Sequence, residues 1–345
     1  MLIVSFYSYK GGSGRSTTSW NTIQRLVNLL KPTAKEPFVI VDTDTESAGS
    51  TFLYNADEVF FRDNKYASVQ KRMTTGDTNY DGSSGEEKEK FFRGMYPIGT
   101  FFGLKETEEN TVLLIGANTD RTSNWGADVS GETKDSKNQM ENFNNNITKA
   151  SRKCGAKALF FDTPTGVQFL ARRSVQESKI VVCCMRPTSQ FREGTKKQLI
   201  DFIKYDIEKD EEGKRKYILT PTVICAEKEQ KFTLNGIEYV YPNEAKKRII
   251  REFGRENMHE DKKIDQAFKD NVILDMLEPT PAAIKQQYPE SEDDESVFGI
   301  PEIRRFKWFE ACLGKLSDHE RTPNDEMGIN RYEYLAQTIL KYCER

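Results

Sequence analysis

Histidine and cysteine are scarce in this chain, and long apolar runs are missing from it. The 345 residues include two histidines and six cysteines, and no pair of cysteines has CxxC spacing. A zinc ribbon or a redox motif is therefore not predicted, and we expect reduced, structural thiols. No run approaches the roughly 18 apolar residues of a membrane span. Met1 leads straight into strand-like residues 2–4 without the basic and apolar regions of a signal peptide, so we expect a cytoplasmic protein.

A strong net charge is also lacking. The 51 basic and 54 acidic side chains nearly cancel, to a net charge of −3, so no global field draws the protein onto nucleic acid or an acidic membrane. DNA binding would need a local patch, and a solvated helix face is the more common role of such a patch. Three basic clusters are candidates: Arg192, Lys196 and Lys197; Lys246, Lys247, Arg248 and Arg251; and Arg304, Arg305 and Lys307.

One face of the last predicted helix is apolar. Tyr332, Leu335, Ala336 and Ile339 recur at helical spacing and could enter a bilayer. The helix carries too few basic residues for that role. We therefore predict that this face packs against the core, and membrane binding is not expected.

Strand-like runs alternate with helix-sized polar segments along the chain. Residues 2–9 are followed by a glycine cluster, a helix-compatible stretch to about Leu30 and a second apolar run at 37–42, which completes a βαβ unit. Further runs follow at 111–117, 157–162, 179–185, 216–225 and 295–300. This alternation predicts an α/β fold with a doubly wound, mostly parallel sheet and flanking helices.

Two segments do not fit the alternation. Residues 55–110 have no clean period and include a polar, Gly/Ser-rich stretch, which we interpret as an inserted or mobile segment. Residues 226–295 are strongly charged, and we expect an added helical subregion and a loop there. The chain is therefore interpreted as one domain, 1–345, with insertions at about 55–110 and 226–295.

A glycine-rich loop lies between the first strand and the first helix. Its residues are Lys10, Gly11, Gly12, Ser13, Gly14, Arg15, Ser16 and Thr17. Glycines let backbone N–H groups converge on phosphate oxygens, and the helix that follows adds its positive N-terminal end. In such a loop the Ser16 hydroxyl would bind Mg²⁺, so the segment predicts a phosphate site.

Aspartates close two of the predicted strands. Asp42 and Asp44 are two residues apart, so their side chains point the same way along an extended segment and suit a metal ion and a water. A strand-end pair of this kind is also a common turn or helix cap. Asp162 ends the apolar run at 158–162, where a carboxylate can hold Mg²⁺ through water.

The loop sequence KGGSGRST at 10–17 resembles the deviant Walker A motif of the ParA/MinD family of P-loop ATPases, KGGVGK followed by Ser or Thr and then Thr. Arg15 stands where the family has its phosphate-binding lysine. The segment FYSYKGGSGRS at 6–16 resembles the KGGVGR-motif variant branch of the family. The resemblance implies a P-loop NTPase fold, ATP and Mg²⁺ as cofactors, and ATP hydrolysis that is slow or stimulated by a partner. Arg15 would still bind phosphate.

The resemblance also implies roles for individual residues. Lys10 matches the signature lysine, which in the family reaches the phosphates of the partner subunit in an ATP-dependent homodimer. Asp42 would support the Mg²⁺ shell, Asp44 would position the attacking water, and Asp162 matches the Walker B aspartate. Residues 163–166 match the switch that senses the γ-phosphate. The segment at 298–303 resembles the loop that borders the base, which places Pro301 in the base pocket.

Four functions are compatible with these motifs. The variant branch is associated with bacterial signalling and conflict systems, so we favour an ATPase switch that gates a partner protein, for instance in antiphage defence. A positioning ATPase on DNA or membrane is the first alternative. A nucleotide-binding scaffold with little turnover is the second, motivated by Arg15. The third is a bacterial tyrosine kinase with phosphorylated Tyr332, Tyr334 and Tyr342, against which Lys10 argues.

Overall fold

A central sheet organises the chain in the computed structural model. The model describes residues 1–56, 59–60, 66–74, 82–118, 134–209, 214–222, 231–234, 237–240, 249, 252–253, 258–274, 300, 302–307, 312–317 and 319–343. The strands within these ranges are β1 (Leu2–Tyr7), β2 (Phe38–Asp42), β3 (Tyr96–Pro97), β4 (Val112–Ile115), β5 (Ala158–Asp162), β6 (Ile180–Met185), β7 (Lys216–Pro221), β8 (Lys231–Leu234), β9 (Ile237–Val240) and β10 (Val272–Leu274).

Eight of these strands form one sheet, in the order β10-β7-β6-β1-β5-β2-β4-β3. Every neighbouring pair is parallel except β3, which pairs antiparallel with β4. Strands β8 and β9 form a separate antiparallel hairpin. The prediction of a doubly wound, mostly parallel sheet is confirmed.

Helices cover both faces of the sheet. They are α1 (Arg15–Leu30), α2 (Gly49–Leu53), α3 (Val69–Thr74), α4 (Gly85–Arg93), α5 (Lys134–Phe143), α6 (Ala150–Cys154), α7 (Phe169–Glu177), α8 (Ser189–Glu208), α9 (Lys262–Asn271) and α10 (Pro323–Cys343). A π-helical stretch, Asn144–Lys149, joins α5 to α6. Short 3₁₀ turns occupy Gly99–Phe102, Glu106–Thr111, Arg304–Lys307 and Leu313–Lys315.

The strand side chains alternate between two apolar layers. In β1, Val4 and Phe6 pack into the cluster that includes α1 and α10, whereas Ile3 packs on the opposite face with Phe161 and other residues. Alternation follows from the period of two in a strand, and burial on both faces explains why these strands have continuous apolar sequences. The sheet is thus a rigid platform for the loops at its edges.

The terminal helix packs as predicted. Tyr332, Leu335, Ala336 and Ile339 of α10 are all buried in the layer shared with α1. Among the described residues, no helix is long and apolar enough to cross a bilayer.

The two segments outside the predicted alternation both contribute to the sheet. Within 55–110, strand β3 extends the sheet beyond β4, and within 226–295, β10 adds the opposite edge beside β7. The helix expected in the second segment is present as α9, whereas the β8–β9 hairpin and β10 were not predicted. Strands of two to four residues are too short for alternation to be recognised, which explains the omission. Of the strand predicted at 295–300, all but Ile300 lies outside the described residues.

Candidate functional site

The loop between β1 and α1 has the backbone that its glycines predict. Gly12 and Gly14 have φ values of 74° and 73°, a region where other residues are strained. Nothing lies within 4 Å of the position that a Cβ would take at Gly12, so a ligand can approach its backbone closely. Gly14 is the N-cap of α1 and offers no side-chain cap, which leaves the first turn suited to an anion.

The three predicted aspartates meet beside this loop. They stand at or just after the carboxyl ends of β2 and β5, which are adjacent in the sheet, and Asp42 is in register with Asp162. All three carboxylates are buried. Residues 120 positions apart along the chain are thus brought together by the parallel register.

Arg15 joins two of the carboxylates and the helix start. Its Nε donates to Asp162 Oδ1 at 2.7 Å, and its Nη2 lies 3.4 Å from Asp44 Oδ2 and 3.3 Å from Ser16 Oγ. The side chain is buried. Burial disfavours the charged form of Arg15 and lowers its pKa. The negative charges of Asp162 and Asp44 have the larger combined effect and hold the pKa above the usual value. One cation therefore contacts a predicted catalytic carboxylate and two predicted metal ligands.

The remaining carboxylate oxygens accept hydrogen bonds from the loop that follows β2. Asp42 Oδ2 accepts from the backbone and side chain of Thr51, at 2.7 and 2.8 Å, and Asp42 Oδ1 accepts from the Asp44 backbone at 3.1 Å. Ser50 Oγ donates to Asp162 Oδ2. Ser47 donates its backbone N–H to Asp44 Oδ1 at 3.2 Å. These bonds fix the orientation of all three carboxylates.

Asp42 has a carboxyl group with a raised pKa. Its pKa is raised to about 7, chiefly because the carboxyl group is buried and also because of the nearby charge of Asp162, while the two hydrogen bonds from Thr51 oppose the rise. A buried carboxylate of this kind favours a nearby cation. The arrangement therefore attracts positive charge to this edge of the sheet.

Magnesium would need a further partner at this site. Within the part of the chain that the structure describes, no group of three His, Cys, Asp or Glu residues is placed to hold a metal ion. Magnesium is usually held by one or two carboxylates together with phosphate oxygens and water. Ser16 and Asp162 fit that partial set of ligands, with Asp42 and Asp44 beside them.

Lys10 lies on the exposed side of the loop and folds back onto its own chain. Its Nζ donates to Gln190 Oε1 at 3.0 Å and lies 5.9 Å from the centre of the Phe191 ring, in the first turn of α8. This hydrogen bond is exposed, and among the described residues it is the one that the Lys10 side chain donates. The lysine is therefore free to exchange this contact for a stronger one at little cost.

The segment after β5 is tied to β1. The Thr163 hydroxyl donates to the Phe6 carbonyl at 2.9 Å, and the Gly166 N–H donates to the Ser8 carbonyl at 3.0 Å. The Tyr7 hydroxyl in turn donates to the Gly166 carbonyl at 3.0 Å. Residues 163–166, the predicted switch, thus lie against the strand that leads into the glycine loop.

A cavity of about 300 Å³ opens on the other side of the loop, beside Gly12 and Gly14. Arg186, just after β6, donates from Nε to the Gly12 carbonyl at 2.6 Å. Thr222, just after β7, donates from its hydroxyl to the Ser13 carbonyl. Pro301, predicted for a base pocket, lies outside the described residues. Its neighbours line the cavity, whose further lining residues are Thr17, Thr18, Ile300, Glu302, Ile303, Phe306 and Tyr332.

Several residues of the site were missed in the sequence. Ser50 and Thr51 anchor carboxylates, and Arg186 and Thr222 hold the glycine loop. Arg186 and Thr222 each follow a parallel strand directly, at the edge where ligands bind in such sheets. Their position after a strand was the available signal.

The similarity to known proteins is at the level of structure. No protein-family model and no curated protein matches the chain. Cobyrinic acid a,c-diamide synthase from Mycobacterium smegmatis, solved with an ATP analogue and magnesium, has a TM-score of 0.55 at 13% identity, covering 100% of this chain and 96% of that one. MinD in the MinC:MinD cell division complex of Aquifex aeolicus gives 0.51 at 12%, covering 98% and 96%.

A third similar structure is the pNOB8 ParA protein bound to nonspecific DNA, with a TM-score of 0.50 at 10% identity, covering 99% of this chain and 98% of that one. All three similarities extend over nearly the whole length of both chains. At these identities they establish architecture. The chain has the fold of the MinD- and ParA-type P-loop ATPases.

Proposed function

We propose that this protein is a cytoplasmic ATPase that binds ATP with Mg²⁺ and acts as a nucleotide-dependent dimer switch gating a partner protein. The observation that carries the proposal is the convergence of Ser16, Asp44 and Asp162 on Arg15, at the start of a helix preceded by a glycine loop. The similar synthase structure with an ATP analogue and magnesium supports the choice of ligands.

Each residue has a defined task in this proposal. The loop from Lys10 to Thr17 binds the phosphates through its backbone N–H groups, and Ser16 and Asp162 hold Mg²⁺, which neutralises charge on the β- and γ-phosphates. Asp44 accepts a hydrogen bond from the attacking water and orients it. Asp42 holds the turn that carries Asp44, because it accepts the Asp44 N–H and anchors Thr51.

Exposed apolar side chains around the site support dimerisation. Tyr9, Phe52 and Val167 are 36%, 48% and 52% exposed, and each lies in a segment that follows β1, β2 or β5 at the carboxyl edge. Apolar exposure in several loops at one edge of a sheet is compatible with a protein interface. A second copy that covers this edge would also bring Lys10 of each subunit to the phosphates of the other.

The dimer is tested with Lys10→Ala. We expect Mg-ATP to shift the wild type from monomer to dimer in light scattering, and the variant to stay monomeric because it lacks the cation for the partner's phosphates. Lys35→Ala is the matched control, since Lys35 is an exposed lysine before β2, at the opposite edge of the sheet. A wild type whose mass does not change at saturating Mg-ATP would contradict the dimer switch.

The target of the switch is tested by pull-down with the ATP-bound dimer. Recovery of a protein partner only in the presence of ATP supports gating. ATP-dependent retention on DNA would favour the positioning alternative, which the ParA structure with DNA motivates. Two of the basic clusters are partly neutralised, because Arg192 pairs with Glu252 and Arg305 pairs with Asp325. The cluster of Lys246, Lys247, Arg248 and Arg251 lies outside the described residues.

Measuring the release of phosphate distinguishes an ATPase switch from a nucleotide-binding scaffold. ATP binding and dimerisation without release of phosphate would favour the scaffold alternative. In the tyrosine kinase alternative, Tyr332 is a poor target for phosphorylation, because its ring is buried in the core layer of α10.

A further inference from the structure

Asp162, which would hold magnesium, and Asp44, which would orient the attacking water, already bind a cation of the protein itself. Arg15 donates hydrogen bonds to Asp162 Oδ1 and Asp44 Oδ2. The second oxygen of each carboxylate also accepts a bond, Asp162 Oδ2 from the Ser50 hydroxyl and Asp44 Oδ1 from the Ser47 N–H. All four oxygens of the two carboxylates thus accept hydrogen bonds from the protein. A divalent cation that approaches these oxygens would also meet the positive charge of Arg15, which lies against both carboxylates and would repel it.

Arginine is suited to this contact in a way that lysine is not. Its planar fork presents Nε to one carboxylate and Nη2 to the other, whereas a lysine ammonium is a single compact donor. The side chain of Arg15 is 9% exposed and that of Asp162 is 1% exposed, so water screens the ion pair little.

The third guanidinium nitrogen of Arg15, Nη1, indicates which ligand could draw the side chain away from the carboxylates. Among the buried polar atoms of the described residues, Arg15 Nη1 has no hydrogen-bond partner. Arg15 is also the first residue of α1 and lies within the segment proposed to bind phosphate. A phosphate oxygen would satisfy Nη1 and can accept both terminal nitrogens of the fork at once.

We propose that Arg15 and the divalent cation compete for Asp162, and that the triphosphate moves Arg15 off Asp162 and Asp44, so that metal binds only together with nucleotide. This inference rests on the proposed binding of ATP. The aspartates alone would form a weak site for a free cation, and Arg15 keeps that site closed until the phosphates arrive. The arginine of the loop then acts as a positioning residue that sets the order of binding.

The test is Mn²⁺ binding measured by electron paramagnetic resonance, which reports metal occupancy independently of turnover. Wild type, Arg15→Lys and Arg93→Lys are titrated with Mn²⁺ in the absence and presence of a non-hydrolysable ATP analogue. Arg93 is the matched control, because it forms an exposed ion pair with Glu89 on α4. Analogue binding is measured separately with a fluorescent ATP derivative.

We expect Arg15→Lys to bind nucleotide-free Mn²⁺ about tenfold more tightly than the wild type, since a change beside a metal ligand commonly alters affinity by that order. Arg93→Lys should match the wild type. Arg15→Gln serves as a second variant, because it retains hydrogen-bonding groups without the charge and should change affinity in the same direction. The fold of each variant is checked by circular dichroism.

Equal nucleotide-free Mn²⁺ affinity in the wild type and in a folded Arg15 variant would overturn the inference while leaving the proposed ATPase intact, provided that the analogue binds. A wild type that binds no ATP analogue would instead overturn the proposed function, and this inference with it.

Discussion

Asp44→Asn is expected to retain ATP binding and to reduce phosphate release about 100- to 10,000-fold, the usual contribution of a positioned base. Asp44 is held at the end of β2 by Ser47 and Arg15, and it stands beside the predicted metal ligand Asp162. The amide is nearly isosteric and keeps one acceptor, but it lacks the charge that orients and polarises a water. Phosphate release at saturating Mg-ATP, together with the affinity for a fluorescent ATP derivative, measures the two effects separately.

Glu36→Gln is the matched control for this variant. The Glu36 side chain is exposed in the turn before β2, at the opposite end of the same strand, so the same chemical change there should leave turnover unaltered. Equal phosphate release from the wild type and Asp44→Asn would remove Asp44 from the mechanism. A large loss of ATP affinity in Asp44→Asn would indicate that Asp44 is needed for binding.

Arg215→Ala is expected to lower the free energy of unfolding by about 3–5 kcal/mol, the cost of removing one partner from a buried ion pair. Arg215 pairs with Asp206 of α8 and donates from Nε to the Ser178 carbonyl at 2.9 Å and from Nη2 to the Gln176 carbonyl at 2.6 Å. Tyr217 donates its hydroxyl to the same Asp206 at 2.8 Å. The variant would leave Asp206 buried without its cation. Urea unfolding followed by circular dichroism measures the loss.

Two comparisons make the Arg215 prediction specific. Arg215→Lys keeps the charge but cannot reach all three acceptors, so its loss should fall between those of the wild type and Arg215→Ala. Arg93→Ala removes an exposed pair and should cost less than about 1 kcal/mol. A loss for Arg215→Ala no larger than that for Arg93→Ala would show that the network contributes little to stability.

The sequence motif predicts the position of Lys10 but not its hydrogen-bond partner. The residue was recognised from its place before the glycines, and its exposure agrees with a role toward a second subunit. Its present partner, Gln190, is 180 residues away and could not be predicted, because no local pattern relates a loop lysine to the first turn of a distant helix. Whether Lys10 reaches a second subunit stays a prediction for the light-scattering test.

Strand length separates the strands that the sequence predicts from those that it does not. Strands β1, β2, β5 and β6 have five or six consecutive buried residues, and continuous apolar runs of that length can be recognised without a structure. Strands β3 and β10 have two and three residues. Their pairing depends on where the preceding segments place them, so only the folded chain reveals that both segments interpreted as insertions extend the sheet.

Sequence alone was enough to predict the class of fold and to place a glycine loop and three aspartates at strand ends, because each of these features depends on residues close together in the chain. That the loop binds phosphate stays a prediction. Apolar runs define strands, glycines allow a positive φ, and aspartates follow strands within a few positions. That Arg15 bridges Asp162, 147 residues away, and Asp44, 29 residues away, is visible in the folded chain and could not be predicted from a local pattern. That contact depends on two neighbouring parallel strands that end at the same edge of the sheet, and the crossovers of the fold set this relation. Because of the contact, the role expected for Arg15 includes the proposed control of metal binding in addition to phosphate contact.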